Sequence, residues 1–456
     1  MKTKTLIQTL FASLTLLFIG LMASPLSAQS ALNSYISEGL SSNLVLQQKS
    51  ISWEQAQQSL QVAKSYFLPS VNILGDYTSG EGGRSIAIPV GDLLNPVYAS
   101  LNQITQSDAF PQIANVNQNF FPKNFYDGRI RTSVPLVNTD LYMNRSIQGQ
   151  QVAIKQYELA AYRRQLVYDI KEAYFTYLSA TSAAKIFESA LKLVNKNVEV
   201  NESLLRNGKA VPANYLRSKS EAEGVKASLA SAENKAVNAK KYFNFLLNRD
   251  LDSDVSTEYV TTDDPSQFPP VLSIDGREEL QMIRAQMTIA QTGVKMSKLA
   301  RLPKVNAFLD LGSQASNWEW NHNSMYYLFG VQLTMPVFQG FRNVTAVRQN
   351  TLEVNKADLG LRYATQQLSL AVTVASNDLQ TAVQNYAASR EQSKSAQSYY
   401  NLIEKGYQQG INTLIEFLDA RNQLTSSQLQ QSLKLFGMLT AAAKLERETA
   451  SYNFEK

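Results

Sequence analysis

The sequence offers few side chains suited to covalent or metal chemistry. It contains no cysteine and a single histidine, His322, which argues against a transition-metal site. Neither a Gly-x-x-x-x-Gly-Lys-Ser/Thr phosphate-binding loop nor a Gly-x-Ser-x-Gly nucleophile motif occurs. We therefore expect no enzymatic activity, no metal and no cofactor. Any energy that the protein uses has to come from a partner.

Two carboxylates, Glu416 and Asp419, form the candidate charged site. They follow Gly410 at the start of a long predicted helix. Taken alone, the pair is best interpreted as a solvated helix face whose charge is balanced by Arg421. The alternative is a functional site in which the two negative charges are concentrated.

The helix that carries these carboxylates belongs to the second copy of an internal repeat. Three segments of the first half return in the second half: 68–72 as 302–306 around a Leu-Pro pair, 134–136 as 335–337, and 208–216 as 410–418. A repeat of about 200 residues is far longer than a solenoid unit. Each copy must therefore be a complete set of elements, and we expect the two sets to pack about a pseudo-twofold relation.

The N-terminal residues 1–28 are predicted to be a secretory signal peptide. Lys2 and Lys4 precede an apolar run from Leu6 to Met22, and a small-residue cleavage site ends at Ala28. A membrane anchor is the alternative, which the shortness of the run disfavours. The absence of cysteine excludes a lipid on an N-terminal cysteine. The 43 basic and 38 acidic residues nearly balance, so no nucleic-acid partner is expected.

Each half is predicted to contain a helix, two strands and two long helices. The strands alternate: Val305, Ala307, Leu309 and Leu311 point one way, and Asn306, Phe308 and Asp310 the other. Strands of about ten residues with one apolar and one polar face suit an outer-membrane barrel. A half-buried sheet in a soluble domain is the alternative.

The long helices indicate an extended molecule. The stretch 147–206 has no proline, and sixty helical residues would span about 90 Å. It is followed by 213–247, and the second half repeats the pattern at 343–405 and 413–448. Such lengths predict an antiparallel helical hairpin in each half, with tips near 207–213 and 406–413. Gly208 and Gly410 are predicted to end the first helix of each hairpin in a left-handed conformation.

The predicted boundaries follow from this repeat. The first repeat spans 29–249, with its β-hairpin at about 69–137, and the second spans 274–456, with its β-hairpin at about 303–337. The linker 250–273 is predicted to be a small structure packed midway along the helices, because Tyr259, Val260, Phe268 and Val271 favour burial. A flexible linker is the alternative.

The first β-hairpin carries a long outer loop at 80–123 that the second lacks. Its apolar content, as in Ile86–Val90 and Phe120–Phe121, argues against disorder. We expect this loop to fold over the mouth of a barrel or to pack on a neighbouring protomer. Trp318 and Trp320 in the shorter loop are interpreted as interfacial aromatics, and His322 is not expected to be a ligand.

Four strands cannot close a barrel, and a bilayer does not tolerate an open sheet edge. If the hairpins enter a membrane, several chains must share one barrel. Three chains would supply twelve strands and twelve long helices, although the edge argument does not itself fix the number three.

The segment Glu404–Ala420, EKGYQQGINTLIEFLDA, resembles the periplasmic tip of the TolC-like outer membrane efflux protein family. The resemblance implies a homotrimer whose twelve-stranded outer-membrane β-barrel, with four strands per chain, is continued by a long periplasmic α-helical barrel. It also implies an exit duct of a tripartite efflux pump or type I secretion system. A periplasmic adaptor (membrane fusion) protein would open the tip gate, and an inner-membrane pump of the RND or ABC type would act through that adaptor.

The family's gate residues can be carried over one at a time. Glu416 and Asp419 match acidic positions that form carboxylate rings, which attract cations and can raise their own pKa values. Because the tip segment matches the family, we prefer the interpretation of Glu416 and Asp419 as a carboxylate ring to their interpretation as a solvated helix face. Tyr407 matches a tyrosine that bonds to the first-repeat tip. Asn412 stands where the family has an arginine that also helps to hold the closed state, and Asn214 stands where the family has an aspartate that bonds to this arginine. The charged pair that would lock the gate, which we call the charged lock, is therefore missing here. The tip turns, which the adaptor would touch, contain Gly208, Val211, Gly410 and Thr413.

A periplasmic coiled-coil scaffold or adaptor without a pore is the alternative function. The alternating strands and the Leu-Pro strand starts argue against it. The wall residues Ser, Asn, Gln and Ala do not identify an exported substrate, a particular pump or a particular adaptor.

Overall fold

The computed structural model describes residues 27–121, 123–209, 211–259 and 273–454. Residues 1–26 of the predicted signal peptide and residues 260–272 of the predicted linker lie outside these ranges. The expected burial of Val260, Phe268 and Val271 therefore lies outside the described residues. The described residues fall into two compact units. The first unit lies within Met1–Ala56, Gln150–Thr288 and Asn355–Lys456, and the second within Gln57–Gly149 and Ile289–Val354.

The chain is mainly helical, with a smaller share of sheet. The helices are α1 Ser27–Ser42, α2 Leu44–Ser65, α3 Val90–Thr105, α4 Thr139–Arg206, α5 Pro212–Leu246, α6 Glu278–Leu299, α7 Arg342–Gln408 and α8 Leu414–Glu448. The strands are β1 Ser70–Thr78, β2 Ser85–Ile88, β3 Val116–Asn119, β4 Phe125–Val137, β5 Lys304–Ser316 and β6 Met325–Thr334. None of the helices in the described ranges is both long and apolar enough to cross a membrane.

The second unit contains a four-stranded antiparallel sheet with the order β1-β4-β5-β6. Its register places Ile73 beside Ile130, Ile130 beside Leu311, and Leu311 beside Tyr327. Because side chains alternate between the two faces of a strand, this row defines one apolar face. The face is exposed in the single chain: Ile73 is 84% and Tyr327 79% accessible.

The opposite face of the sheet is polar and cross-linked. Arg131 on β4 donates from Nε and Nη2 to the two carboxylate oxygens of Asp310 on β5, at 2.7 and 2.6 Å. The guanidinium also lies 4.9 Å from the ring centroid of Phe308. Arg129 pairs with Asp127, and the Tyr326 hydroxyl donates to the same carboxylate at 2.8 Å. These contacts join β4, β5 and β6 on one face, as the predicted alternation requires.

The first unit is built on the long helices. α4 begins at Thr139, earlier than the predicted 147, and α7 runs to Gln408. The buried core of this unit includes Leu166, Ile170 and Tyr174 of α4, together with Phe243 and Leu247 at the end of α5. Tyr259 is partly buried against this core, with its ring 5.4 Å from that of Phe175.

An ionic cluster in the first unit joins the start of α6 to the end of α8. Arg277 is almost fully buried and donates to both carboxylate oxygens of Glu279, at 2.8 and 3.0 Å. It also donates to the carboxylate and the backbone carbonyl of Glu448, at 2.6 and 2.7 Å. Burial alone would raise the pKa of Glu279, but the bonds from Arg277 outweigh it, and the net pKa is lowered.

Candidate functional site at the tips of the helical hairpins

Both hairpins of the first unit turn through a glycine-capped helix end. Gly208 and Gly410 have φ of +67° and +76°, a region that favours glycine. After α4, Lys209 N donates to Leu204 O at 2.8 Å and Gly208 N to Leu205 O at 3.0 Å. After α7, Ile411 N donates to Gly406 O and Gly410 N to Tyr407 O, at 2.8 and 3.0 Å. Both are Schellman motifs, so the predicted left-handed caps are confirmed.

The helices that follow these turns start in different ways. α5 follows Val211, which is exposed and has no capping side chain, and begins with Pro212 at its first position. α8 begins with a capping box: Thr413 Oγ1 accepts from Glu416 N, and Glu416 Oε2 accepts from Thr413 N at 2.7 Å. The helices before the two tips, α4 and α7, therefore end in the same way, whereas the helices after the tips, α5 and α8, begin in different ways.

The capping box engages one of the two candidate carboxylates. Glu416 also accepts from the Asn412 side-chain amide at 3.3 Å. The Thr413 backbone N–H, the Asn412 amide and the Thr413 hydroxyl together lower the pKa of Glu416 below its usual range. Within one chain, this is opposite in direction to the rise that a crowded carboxylate ring would produce. Asp419 is exposed one turn further on and has no side-chain hydrogen bond or ion pair to any other described residue.

Arg421 does not balance these carboxylates. It is 1% accessible, and its Nη2 pairs with Glu221 on α5. Two positions along a helix correspond to a rotation of about 200°, which turns Arg421 away from the face of Asp419. The interpretation of a solvated face neutralised by Arg421 is therefore wrong. Arg421 instead connects the second hairpin to the first.

Tyr407 reaches the first hairpin through a buried amide. Its hydroxyl lies 3.3 Å from Asn201 Nδ2 on α4, and its ring stacks on Phe417, with 4.9 Å between centroids. Asn201 also donates to Asn197 Oδ1 at 3.0 Å and to Ser218 Oγ at 3.2 Å. Ser218 Oγ donates to Asn197 Oδ1 at 2.8 Å. We call Asn197, Asn201, Ser218 and Tyr407 the amide cluster.

The structure does not join Asn412 to Asn214. The Asn412 amide donates to Glu416, and its side chain folds back over Gly406, where an added Cβ would lie 1.9 Å from Asn412 Oδ1. Asn214 is held through its backbone N–H, which donates to Val211 O at 3.1 Å. Among the described residues, no side-chain bond connects the two asparagines, although both line one cleft at the tip.

Three members of the amide cluster and the Arg421–Glu221 pair were missed by sequence reasoning. Asn197, Asn201 and Ser218 are almost fully buried, but each looks like a solvated position in a helix rich in polar residues. The i, i+4 spacing of the two asparagines was the only local signal.

Comparisons with known proteins identify the family to which the chain belongs. The family model described as outer membrane efflux protein matches residues 35–249 and 270–450. The outer membrane protein TolC of Salmonella enteritidis is 19% identical over 403 residues, which cover 85% of this chain and 75% of that protein. The toluene efflux pump outer membrane protein TtgC of Pseudomonas putida is 20% identical over 273 residues, which cover 58% and 56% of the two chains.

The crystal structure of the CmeC outer membrane channel of Campylobacter jejuni has the same fold. It superposes with a TM-score of 0.75 at 14% identity, covering 93% of this chain and 87% of that chain. Both repeats take part in the family match, and so does the tip segment on which the resemblance was based. The chain therefore belongs to the outer membrane efflux protein family, which confirms the predicted outer-membrane location.

Proposed function

We propose that this protein is a passive exit duct of a tripartite efflux pump or a type I secretion system. Three copies would form a twelve-stranded barrel in the outer membrane and a helical barrel in the periplasm. Substrates would pass from the periplasm to the exterior, driven by an inner-membrane pump of the RND or ABC type. The protein itself would carry out no chemical reaction.

The observation that carries this proposal is the two-faced sheet of the second unit. One face exposes Ile73, Ile130, Phe329 and Val331, and the other carries the Arg131–Asp310 pair. Charged groups are costly against lipid, and apolar groups are costly against water. A membrane barrel with a wet lumen satisfies both faces at once, because strands of such barrels alternate between lipid and lumen.

The edges of the sheet support an assembly of several copies. In the described chain, β1 and β6 each pair with one strand only. Within a bilayer their free backbone groups need a partner, and β6 of a second copy would supply one for β1. An exposed seam on α7 points the same way: Leu359, Tyr363, Leu370 and Val374 follow spacings of four and seven residues, typical of helices that pack on another helix.

The tip supports a gate in a closed arrangement. The amide cluster and the Arg421–Glu221 pair both bond the second hairpin to the first. We propose that these two contacts replace the charged lock that Asn412 and Asn214 cannot form. An adaptor that docks on the turns around Gly208, Val211, Gly410 and Thr413 would open the gate by separating the hairpins.

Glu416 and Asp419 would form acidic rings once three copies meet. Both side chains lie on the exposed face of α8, which is free of the contacts between hairpins. Threefold symmetry would then place six carboxylates around one opening, which would favour cations.

Planar-bilayer recording of the purified protein tests the proposal. We expect the wild-type oligomer to require detergent for extraction and to conduct ions, with conductance increased when the adaptor is present. Release from the cell envelope without detergent would instead support a periplasmic scaffold or adaptor. An oligomer that never conducts, even with its adaptor present and Tyr407 replaced, would contradict the duct.

A further inference from the structure

The long segment between β1 and β4 contains a small folded module. β2 and β3 pair antiparallel, from Ser85 opposite Asn119 to Ile88 opposite Val116. The helix α3 and the segment 106–115 lie between these strands in the chain. We call residues 85–119 the outer module. The segment was predicted as a loop, and it has regular structure of its own.

Asparagine side chains clamp α3 to the segment that follows it. Asn102 accepts from Phe110 N at 3.0 Å and donates to Phe110 O at 2.8 Å. Asn95 makes the same pair of bonds to Ile113, at 2.8 and 3.0 Å. Each side-chain amide thus makes the two hydrogen bonds that a neighbouring strand would make, and it satisfies both the N–H and the C=O of one residue. The module is ordered through these bonds.

A third contact fixes the start of α3. Asn115 Oδ1 accepts from Asp92 N at 3.1 Å, and its amide donates to the Asp92 carboxylate at 2.9 Å. Gly91 lies so close to this segment that a Cβ would be 2.4 Å from Ile113 O. The inner side of α3 therefore packs on, and is hydrogen-bonded to, the rest of the outer module.

The outer side of α3 is an apolar stripe that nothing in the described chain covers. Leu93, Val97 and Ile104 share this side and are 69%, 51% and 78% accessible. Residues 85–119 contain no lysine or arginine, and their only charged residues are Asp92 and Asp108. A surface exposed to water usually carries many more charges, so this stripe is suited to burial. Without basic residues it is poorly suited to the phosphates of lipid headgroups.

The position of the outer module in the chain indicates which surface covers the apolar stripe. The module is inserted between β1 and β4, and β1 is the edge strand. In the proposed oligomer the neighbouring copy pairs with this edge, so its surface comes directly beside the module. We infer that the apolar stripe of α3 packs on a second copy of this chain and holds neighbouring protomers together at the outer mouth. This inference rests on the proposed oligomeric duct.

Site-specific photocrosslinking tests the occupant. A benzoylphenylalanine placed at Val97 or Ile104 of the full chain, in whole cells, is expected to give crosslinked species of two and three copies. Gln103 is the matched control, because it is exposed on the same helix but away from the stripe. Crosslinks from position 97 to a different protein, or equal crosslinking from positions 97 and 103, would overturn the inference.

Oligomer stability gives a second and independent readout. The triple variant Leu93→Asp/Val97→Asp/Ile104→Asp changes side chains that are exposed in the single chain, so its module is expected to fold. Because charges would now be buried at the contact, the half-life of the oligomer in SDS should fall by about tenfold or more. Gln103→Asp should leave it unchanged.

The outcomes separate this inference from the proposed function. A triple variant as stable as the wild type, in an oligomer that conducts, would contradict the contact and leave the duct intact. A wild-type protein that forms no oligomer at all would contradict the duct itself, and the contact with it.

Discussion

The side-chain amide of Asn201 meets the hydroxyl of Tyr407 at 3.3 Å, and so joins a helix of the first repeat to a helix of the second. Asn201 is 1% accessible and also bonds to Asn197 and Ser218. A buried amide with several partners is costly to disturb, because each partner is then left without water and without a bond. This contact between the two hairpins is thus made by neutral groups, in addition to the charged Arg421–Glu221 pair.

This relationship predicts coupling between the two residues. Tyr407→Phe and Asn201→Ala should each increase the open probability of the channel in planar bilayers. The double variant should change it by less than the sum of the two, with a coupling of about 0.5–1.5 kcal/mol. Tyr399→Phe is the matched control, since Tyr399 is exposed on the same helix. Strict additivity would show that the two residues act independently.

The pair of Arg421 and Glu221 predicts an asymmetric effect on stability. Arg421 is buried, and its Nε and Nη1 have no partner among the described residues, whereas Glu221 is 22% accessible. Glu221→Gln leaves a buried cation without its counterion and should cost about 3–5 kcal/mol. Arg421→Met leaves a carboxylate that water can reach, so its cost should be smaller.

Thermal unfolding in detergent, followed by circular dichroism, measures this difference. The double variant Glu221→Leu/Arg421→Met should recover most of the lost stability, because no charge then remains buried. Equal effects of the two single variants would show that the ion pair is hydrated and contributes little.

The Arg277 cluster predicts a dependence of stability on pH. The pKa of Glu279 is lowered from its usual value of 4.5 in the folded protein. A carboxylate with a lowered folded pKa contributes stability above its unfolded pKa and loses it as the pH falls through the folded pKa. The melting temperature should therefore drop when the pH falls below about 4.5.

Arg277→Gln removes the cation that lowers this pKa. We expect the variant to be less stable at neutral pH and to lose less of its remaining stability on acidification. Lys192→Gln serves as the control, because the Lys192–Glu188 pair is exposed on α4. If the wild type and Arg277→Gln lost the same stability between neutral and acidic pH, the cluster would not be the acid-sensitive element.

The sequence predicted those features that depend on local signals. Gly208 and Gly410 follow long helical patterns, and only glycine fits the left-handed turn easily. The alternation around Leu309 and Leu311 predicted the two faces of the sheet, which the register now shows. Both signals are contained in a few neighbouring residues.

The remaining features depend on which elements face each other. Asn201 and Arg421 look solvated in the sequence, because their burial requires a helix from the other repeat. The outer module was predicted as a loop because the second β-hairpin has no corresponding segment. Its order comes from Asn95 and Asn102, whose bonds to distant backbone groups leave no periodic pattern.

The different bonding of Glu416 and Asp419 leads to a prediction about ion selectivity. In the proposed trimer both carboxylates face the opening, but Glu416 is held by Thr413 and Asn412, whereas Asp419 has no side-chain partner among the described residues. A carboxylate that accepts several hydrogen bonds has part of its charge compensated. Asp419→Asn should therefore reduce cation selectivity more than Glu416→Gln, as measured by the reversal potential in a KCl gradient.

Glu416→Gln is a clean comparison because glutamine also completes a capping box, so the start of α8 should stay in place. Asp378→Asn is the matched control, since Asp378 is an acidic residue of α7 that pairs with Lys444 away from the tip. A reversal potential that neither substitution changes would mean that the carboxylates do not line the conducting path.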